Sequence, residues 1–233
     1  MNDKKIIFID LDGPILDVSD KYYQLYVGIL QKHNFDTLSK QEYWNAKRNK
    51  VPESEILEQT NALAIMESYQ HQRKLLIETD HYLKYDRIQD GAIEVLDKLS
   101  HQSDLILVTL RTFPEKLYKE LKYFTLDQYF RAVLTSGADI KPRWELKCNL
   151  INSYMKGMKF SESIIIGDTE TEILAGKNLG FATIGVLNGI RSYEILNQLQ
   201  STYLIDAISD IFSLNIFDNT KKKRNKIICS NLH

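Results

Sequence analysis

Cysteine, proline and any excess of one charge are scarce in this sequence. Its 233 residues hold two cysteines, Cys148 and Cys229, without C-x-x-C spacing, which excludes a disulfide framework and a multi-cysteine zinc site. A reducing, cytoplasmic setting is the matching expectation. Four prolines and ten glycines are too few for a collagen-like or Pro/Gly-rich low-complexity chain. Thirty basic residues face 31 acidic ones, for a formal charge of −1, so no global field steers the chain to nucleic acid or an anionic membrane. Long apolar runs are absent as well. Only Ile6 to Ile9 precede Asp10, too short for a signal-peptide core, and no window reaches the ~20 apolar residues of a membrane-spanning helix. The basic run from Lys221 to Lys226 reads as a solvated terminus rather than a nucleic-acid or membrane site.

Short apolar runs are what the chain does contain, and they share one syntax. Lys5 to Ile9 ends at Asp10, Leu105 to Val108 at Thr109, Ala132 to Leu134 at Thr135, and Ser163 to Ile166 at Gly167, with Thr183 to Leu187 as a fifth run. Continuous apolar strands of this kind suit a sheet buried on both faces. Helical patterns separate them, roughly Ile93 to Ser100, Glu115 to Phe124, Trp144 to Met155, Glu170 to Leu179 and Tyr193 to Leu199. The alternation predicts an α/β fold with a doubly wound parallel sheet.

The stretch from Asp17 to about Asp90 breaks the alternation: it carries helical patterns, no convincing strand, and is far longer than a βα connection. Helices are expected over Asp20 to His33, Lys40 to Lys50, Glu53 to Tyr69 and Gln70 to Tyr85. The expected organisation is therefore a core of residues 1–16 and 86–215, a helical insertion at 17–85, and a basic tail at 216–233.

In an open α/β sheet, ligands gather at the carboxyl ends of the strands. The first strand ends in Asp10-Leu11-Asp12-Gly13, two carboxylates that reach one site if the chain turns at the glycine. The fourth apolar run ends in Gly167-Asp168 with Glu172 in the next helix. These residues also suit an acidic turn and a helix start. Several carboxylates meeting in one pocket need a cation, and Mg2+, which takes hard oxygen ligands and keeps waters for substrate, is the natural one.

Asp10-Leu11-Asp12-Gly13, Thr109 at the end of an apolar strand, a later lysine, and Gly167-Asp168 with Glu172 stand in the order of the four motifs of the haloacid-dehalogenase-like (HAD) hydrolases, which the chain resembles from Lys4 to about Phe212. Gly180-Phe-Ala-Thr-Ile-Gly-Val and Tyr203-Leu-Ile-Asp-Ala-Ile-Ser-Asp-Ile look like the ending of phosphoglycolate-phosphatase-like members. The resemblance implies a HAD-like core with an inserted α-helical cap of the C1 kind. It makes Asp10 the nucleophile and Asp12 the general acid/base. Mg2+ would be held by Asp10, the Asp12 backbone carbonyl and Asp168, and Thr109 would bind a phosphoryl oxygen. An aspartate at position 12 favours phosphoryl transfer, since dehalogenating members lack it.

The phosphoryl-site lysine stays open between two candidates. Lys141-Pro142 resembles the opening of the third motif, whereas Lys147 falls on the apolar face of its helix with Leu150, Ile151 and Tyr154, where an ammonium needs an anionic partner. Two departures from the family pattern stand out. Pro14 follows the first motif, and Glu172 replaces a frequent aspartate, which suggests positioning rather than direct metal contact. Arg111 is either near the site mouth or in a solvated loop. Tyr22, Lys47 and Arg48 are the cap's candidates for substrate contact. The implied activity is a Mg2+-dependent phosphatase acting on a small phosphorylated metabolite; a phosphomutase on a sugar phosphate and a silent binding module on the same scaffold are the alternatives.

Overall fold

The computed structural model describes residues 5–136, 142–157 and 163–217. Lys141, the Lys221 to Lys226 run and Cys229 lie outside the described residues. Strand β1 (Lys5–Ile9) leads through the two-residue strand β2 (Leu16–Asp17) into helices α1 (Ser19–Lys32), α2 (Lys40–Arg48), α3 (Glu53–Glu58), α4 (Met66–Leu76) and α5 (Asp80–Leu83). The chain returns through β3 (Arg87–Ile88), antiparallel to β2. It then alternates as α6 (Ala92–Gln102), β4 (Ser103–Val108), α7 (Pro114–Tyr123), β5 (Ala132–Leu134), α8 (Arg143–Tyr154), β6 (Ile164–Gly167), α9 (Glu170–Leu179), β7 (Ala182–Val186), α10 (Tyr193–Gln198) and β8 (Tyr203–Ile205).

Six strands form one parallel sheet in the order β5-β4-β1-β6-β7-β8. The chain is thus α/β with a doubly wound sheet. β1 lies at its centre, with Phe8 opposite Ile106 on one side and Ile165 on the other. Because the chain passes from β1 to β4 on one flank and reaches β6 on the opposite flank, a crevice opens at the carboxyl ends of these three strands.

β1 is apolar throughout because both its faces are covered. Ile7 and Ile9 join the cluster containing Leu96 and Leu99 of α6 and Leu117 and Leu121 of α7. Phe8 points the other way, toward Cys148 and Ile151 of α8 and Ala175 of α9, and stacks on Phe181 with ring centroids 5.6 Å apart. Each such fully buried side chain contributes about 1.5–3 kcal/mol, so the strand that carries the first carboxylates is anchored from two sides.

The stretch between β2 and β3 has its own apolar cluster, in which Tyr26 stacks on Tyr43 at 4.5 Å and Leu57, Ala62 and Tyr69 are buried. α2 starts with a reciprocal cap: Glu42 N donates to Ser39 Oγ, and Ser39 N donates to the Glu42 carboxylate at 2.9 Å. The helices expected over Glu53 to Tyr69 and Gln70 to Tyr85 are broken at other places. α3 stops at Glu58, and Asn61 takes a left-handed φ of 55° that asparagine tolerates, while α4 runs across the expected boundary from Met66 to Leu76. Residues 216 and 217, expected in the tail, instead belong to a short 3-10 turn, Asn215–Phe217, that packs on Phe212 and Lys5. Among the described residues no helix is long and apolar enough to cross a membrane.

Candidate functional site

The turn after β1 assembles the site. Asp10 N donates to Ile166 O of β6 at 3.0 Å, and Gly13 N donates to Leu16 O at 2.8 Å. Gly13 has φ 102°, and a Cβ there would collide with the Asp168 carboxylate, so this position requires glycine twice over. Asp168, at the end of β6, is fully buried. Its Oδ2 accepts from Ile190 N at 2.5 Å, and its Oδ1 has no hydrogen-bond partner.

Lys147 lies where helical spacing directs it, inward from α8 and 1% exposed. Its Nζ is 2.8 Å from Asp10 Oδ1 and 2.5 Å from Glu172 Oε1. Glu172 is fixed in turn by the start of α9, where its carboxylate accepts from Thr169 N at 3.1 Å and Thr169 Oγ1 at 2.7 Å. Asp10, Asp168 and Glu172 each offer a carboxylate oxygen, all within 4.8 Å of one another. Burial, together with the charges of Glu172 and Asp12, pushes the Asp10 carboxyl up to about 7 against the opposing pull of Lys147. Burial and the Glu172 and Asp10 charges raise Asp168 well above the usual range. Three clustered carboxylates with one ammonium paired to two of them, and one buried, unpartnered oxygen on the third, form a hard-oxygen donor set that fits a divalent cation such as Mg2+.

Asp12, two residues on, sits in the opposite environment. Arg111 Nε and Nη2 fork onto its Oδ2 and Oδ1 at 2.8 and 2.7 Å. Arg111 is itself buried, and also reaches Asp86 at 3.0 Å and Glu120 at 3.3 Å. Lys21, on the first turn of α1, bonds Asp86 at 2.6 Å and approaches Asp12 at 3.5 Å. Burial alone would raise the Asp12 carboxyl, but the Arg111 and Lys21 charges outweigh it and hold the group below the usual carboxylate range.

A cavity of about 480 Å³ lies between the strand ends and the helical insertion. Asp10, Asp12, Thr109, Lys147 and Glu172 line its floor, and Tyr22, Lys47 and Arg73 line the insertion's side. Thr109 is buried, its hydroxyl oxygen accepting from Arg111 N at 3.4 Å. Lys47 lies 5.5 Å over the Tyr22 ring. Both Lys47 and Arg73 share one carboxylate, Glu53, at 3.6 and 3.2 Å. Burial with the Arg73 and Arg191 charges brings Lys47 down to about 8, Glu53 opposing.

Arg48 corrects the sequence expectation. Its guanidinium turns away from the cavity to donate to the carbonyls of Gly189 and Leu187 at 2.6 and 2.7 Å, because one turn end of α2 abuts that loop. Arg73, Lys21 and Asp86 were missed by sequence reading. They lie in polar helical or loop stretches where pattern carries no sign of which charged residue turns inward.

Comparison with known proteins gives the family and the fold. The model of the family described as "Haloacid dehalogenase-like hydrolase" matches residues 6–186. A pyrophosphatase PpaX from Bacillus velezensis is 23% identical over 228 residues, 92% of this chain and 98% of that protein. A PpaX from Halalkalibacterium halodurans is 28% identical over 136 residues, a match that spans 62% of that protein and 58% of this chain. A phosphoglycolate phosphatase from Vibrio parahaemolyticus is 28% identical over 124 residues, 52% of this chain and 53% of that one. Among solved structures, a haloacid dehalogenase-like family hydrolase from Streptococcus pneumoniae superposes with a TM-score of 0.72 at 16% identity, covering 91% of this chain and 99% of that one.

Proposed function

Because the chain belongs to the haloacid dehalogenase-like hydrolases, we propose that it is a Mg2+-dependent phosphatase that hydrolyses a small phosphorylated metabolite through a phosphoryl group carried on Asp10. The observation that carries this reading is Lys147, fully buried between Asp10 and Glu172 beside the unpartnered Asp168 oxygen. A buried ammonium among more carboxylates than it can neutralise is costly as a purely structural arrangement. It is useful where an anionic phosphoryl group and a cation must meet.

In this reading an Asp10 carboxylate oxygen bonds to phosphorus as the ester P–O bond breaks, and Asp12, which Arg111 and Lys21 keep ionised at rest, relays to the departing oxygen a proton that enters with the substrate phosphate. Asp12 then takes a proton from the water that attacks the acyl phosphate and passes it to the inorganic phosphate released, which restores both aspartates. Lys147 and the Thr109 hydroxyl hold the phosphoryl oxygens, and charge placed there in advance costs no reorganisation at the moment of reaction. Bound Mg2+, held by Asp10, the Asp12 backbone carbonyl and Asp168, would screen the approach of carboxylate to phosphate. Glu172 positions Lys147.

Residues 17–85 serve as a cap on a core of residues 1–16 and 86–215. Lys47 and Arg73, two cations over one carboxylate, favour a substrate with a second anionic group away from the transferred phosphoryl. Pyrophosphate and phosphoglycolate, after which the relatives are named, each have one. The test is a Mg2+-dependent phosphate-release screen across small phosphorylated metabolites, run with wild type and Asp10→Asn in parallel. Release by wild type alone supports the reading. Isomerisation without release points to a phosphomutase, and absence of turnover to a binding module.

A further inference from the structure

Asp168 is steered by a single donor among the described residues, the Ile190 N–H, and that donor sits on the irregular loop between β7 and α10. The loop is held from the helical insertion. Arg48 at the end of α2 donates through Nη1 to Gly189 O, on the same peptide as the Ile190 amide, and through Nη2 to Leu187 O two residues earlier. The grip is returned: Ser192 N donates to Arg48 O at 3.0 Å and Arg191 Nη1 donates to Lys47 O at 2.8 Å. Arg191 also pairs with Glu170, to which Lys50 adds a contact at 3.0 Å. The loop backbone lies so close to Asp168 that a Cβ at Gly189 would collide with its carboxylate.

We propose that Arg48 is a positioning residue for the metal site, acting through the loop of residues 187–192 on the Asp168 carboxylate, so that docking of the insertion and binding of the divalent cation strengthen each other. The inference rests on the metal reading given above. A carboxylate with one hydrogen-bond donor rotates when that donor moves, and a forked guanidinium on the two neighbouring carbonyls is what stops it moving. The coupling is reciprocal by linkage: whatever Arg48 adds to cation affinity, the cation returns to the contact between α2 and the loop.

The test measures Mg2+ binding by calorimetry to the full chain without substrate, in wild type, Arg48→Ala, Arg48→Lys and Glu78→Ala. Arg48→Ala is expected to weaken Mg2+ about tenfold, the low end of the ~10–100-fold range for losing an outer partner of a metal ligand. Arg48→Lys keeps the charge but not the fork, so it falls between the two. Glu78, which accepts from Thr112 N, Thr112 Oγ1 and Phe113 N elsewhere on the insertion's contact with the core, reports general loosening, and its removal should change Mg2+ affinity less than about twofold. Hydrogen exchange gives a second readout that does not depend on affinity. Mg2+ should slow exchange at Ser192 N in wild type, an effect that Arg48→Ala removes. Wild-type affinity in both Arg48 variants, an equal loss in Glu78→Ala, or exchange at Ser192 indifferent to Mg2+ would each overturn the coupling. A wild type that binds no Mg2+ would overturn the metal reading itself, and the coupling with it.

Discussion

Asp10 and Asp12 leave the same strand end two residues apart, yet they enter opposite surroundings. Around Asp10 three carboxylates cluster and one ammonium, Lys147, pairs with two of them, Asp10 and Glu172, and the Asp10 carboxyl is pushed up to about 7, first by burial. Around Asp12 two cations, Arg111 and Lys21, serve Asp12, Asp86 and Glu120, and the carboxyl is held low despite burial. The difference lies in where the positive charge already is. The Asp12 cluster is nearly balanced by side chains alone, whereas the Asp10 cluster gains most from a cation supplied from outside. Alternation along a strand usually sends neighbours i and i+2 to the same face. Here the turn at Gly13 sends both carboxylates into one crevice with different partners, which is how one short segment supports a covalent role and a proton-transfer role.

The largest expected effect breaks the comparison at its two ends. Asp10→Asn should lower turnover roughly 10^4-fold or more, as loss of a nucleophile does, and Asp12→Asn about 10^2–10^4-fold, the range of general acid–base catalysis. Their effects on stability without Mg2+ should have opposite signs. Asp10→Asn relieves an over-acidic cluster, while Asp12→Asn removes the anion that two buried cations share. Urea unfolding in a chelator, alongside rapid-quench trapping of phosphorylated protein, checks both. Asp10→Asn destabilised as much as Asp12→Asn would end the contrast, and a phosphoryl group trapped at another residue would end the assignment.

Lys147→Ala comes next. It should reduce turnover on the scale of a lost oxyanion donor, about 2.7–4 kcal/mol or 10^2–10^3-fold, and more than Lys141→Ala. Unfolding stability should also fall, because Asp10 and Glu172 lose their shared cation, and added Mg2+ should recover part of that loss but not of the turnover. A Lys141→Ala variant that is dead beside an active Lys147→Ala would reverse the choice.

How much of this was legible in the sequence depends on how local the determinant is. The strands of the parallel sheet, the strand-end positions of Asp10, Asp12 and Asp168 and the inward face of α8 are readable because apolar runs and helical spacing are local patterns, and strand ends in a doubly wound sheet point one way; the two-residue strand β3 (Arg87–Ile88), in a stretch that shows no convincing strand in sequence, is not. The strand order, with β1 between β4 and β6, carries no local signal and comes from the structure. Arg111 is ambiguous in sequence because its role depends on Asp86 and Glu120, 25 residues upstream and nine downstream, a contact only tertiary structure makes. Arg48 is ambiguous for a similar reason: a cation on a helix beside the site looks the same in sequence whether it faces a cavity or a loop carbonyl. The breaks within the insertion were misplaced because a left-handed asparagine gives no periodic signal.

A smaller effect sharpens the Asp12 side. Arg111→Lys keeps a charge near Asp12 but cannot fork, and it should lower kcat about tenfold while leaving KM nearly unchanged, since Arg111 holds a carboxylate rather than the substrate. Steady-state kinetics on a responsive substrate separate the two parameters. A rise in KM with kcat intact would move Arg111 from positioning Asp12 to binding substrate.

The smallest effect extends the comparison to a third cluster, where cations are in excess. Lys47 and Arg73 share Glu53 in the cavity's upper wall, and burial brings the Lys47 ammonium down to about 8. Above that pH the side chain loses its charge, so KM for a substrate with a second anionic group should rise severalfold between pH 7 and pH 9, while kcat stays level. Folding stability moves the other way. Between about 8 and the ordinary lysine value the folded chain binds fewer protons at Lys47 than the unfolded chain does, so this group's contribution to stability increases with pH. Weakened binding at pH 9 would therefore not come from unfolding at this site. Lys47→Met should flatten the KM profile, and p-nitrophenyl phosphate, which lacks a second anion, should show a flat profile with wild type. An equal rise in KM for p-nitrophenyl phosphate would place the titrating group at the phosphoryl site and leave the upper wall without a role in selecting substrates.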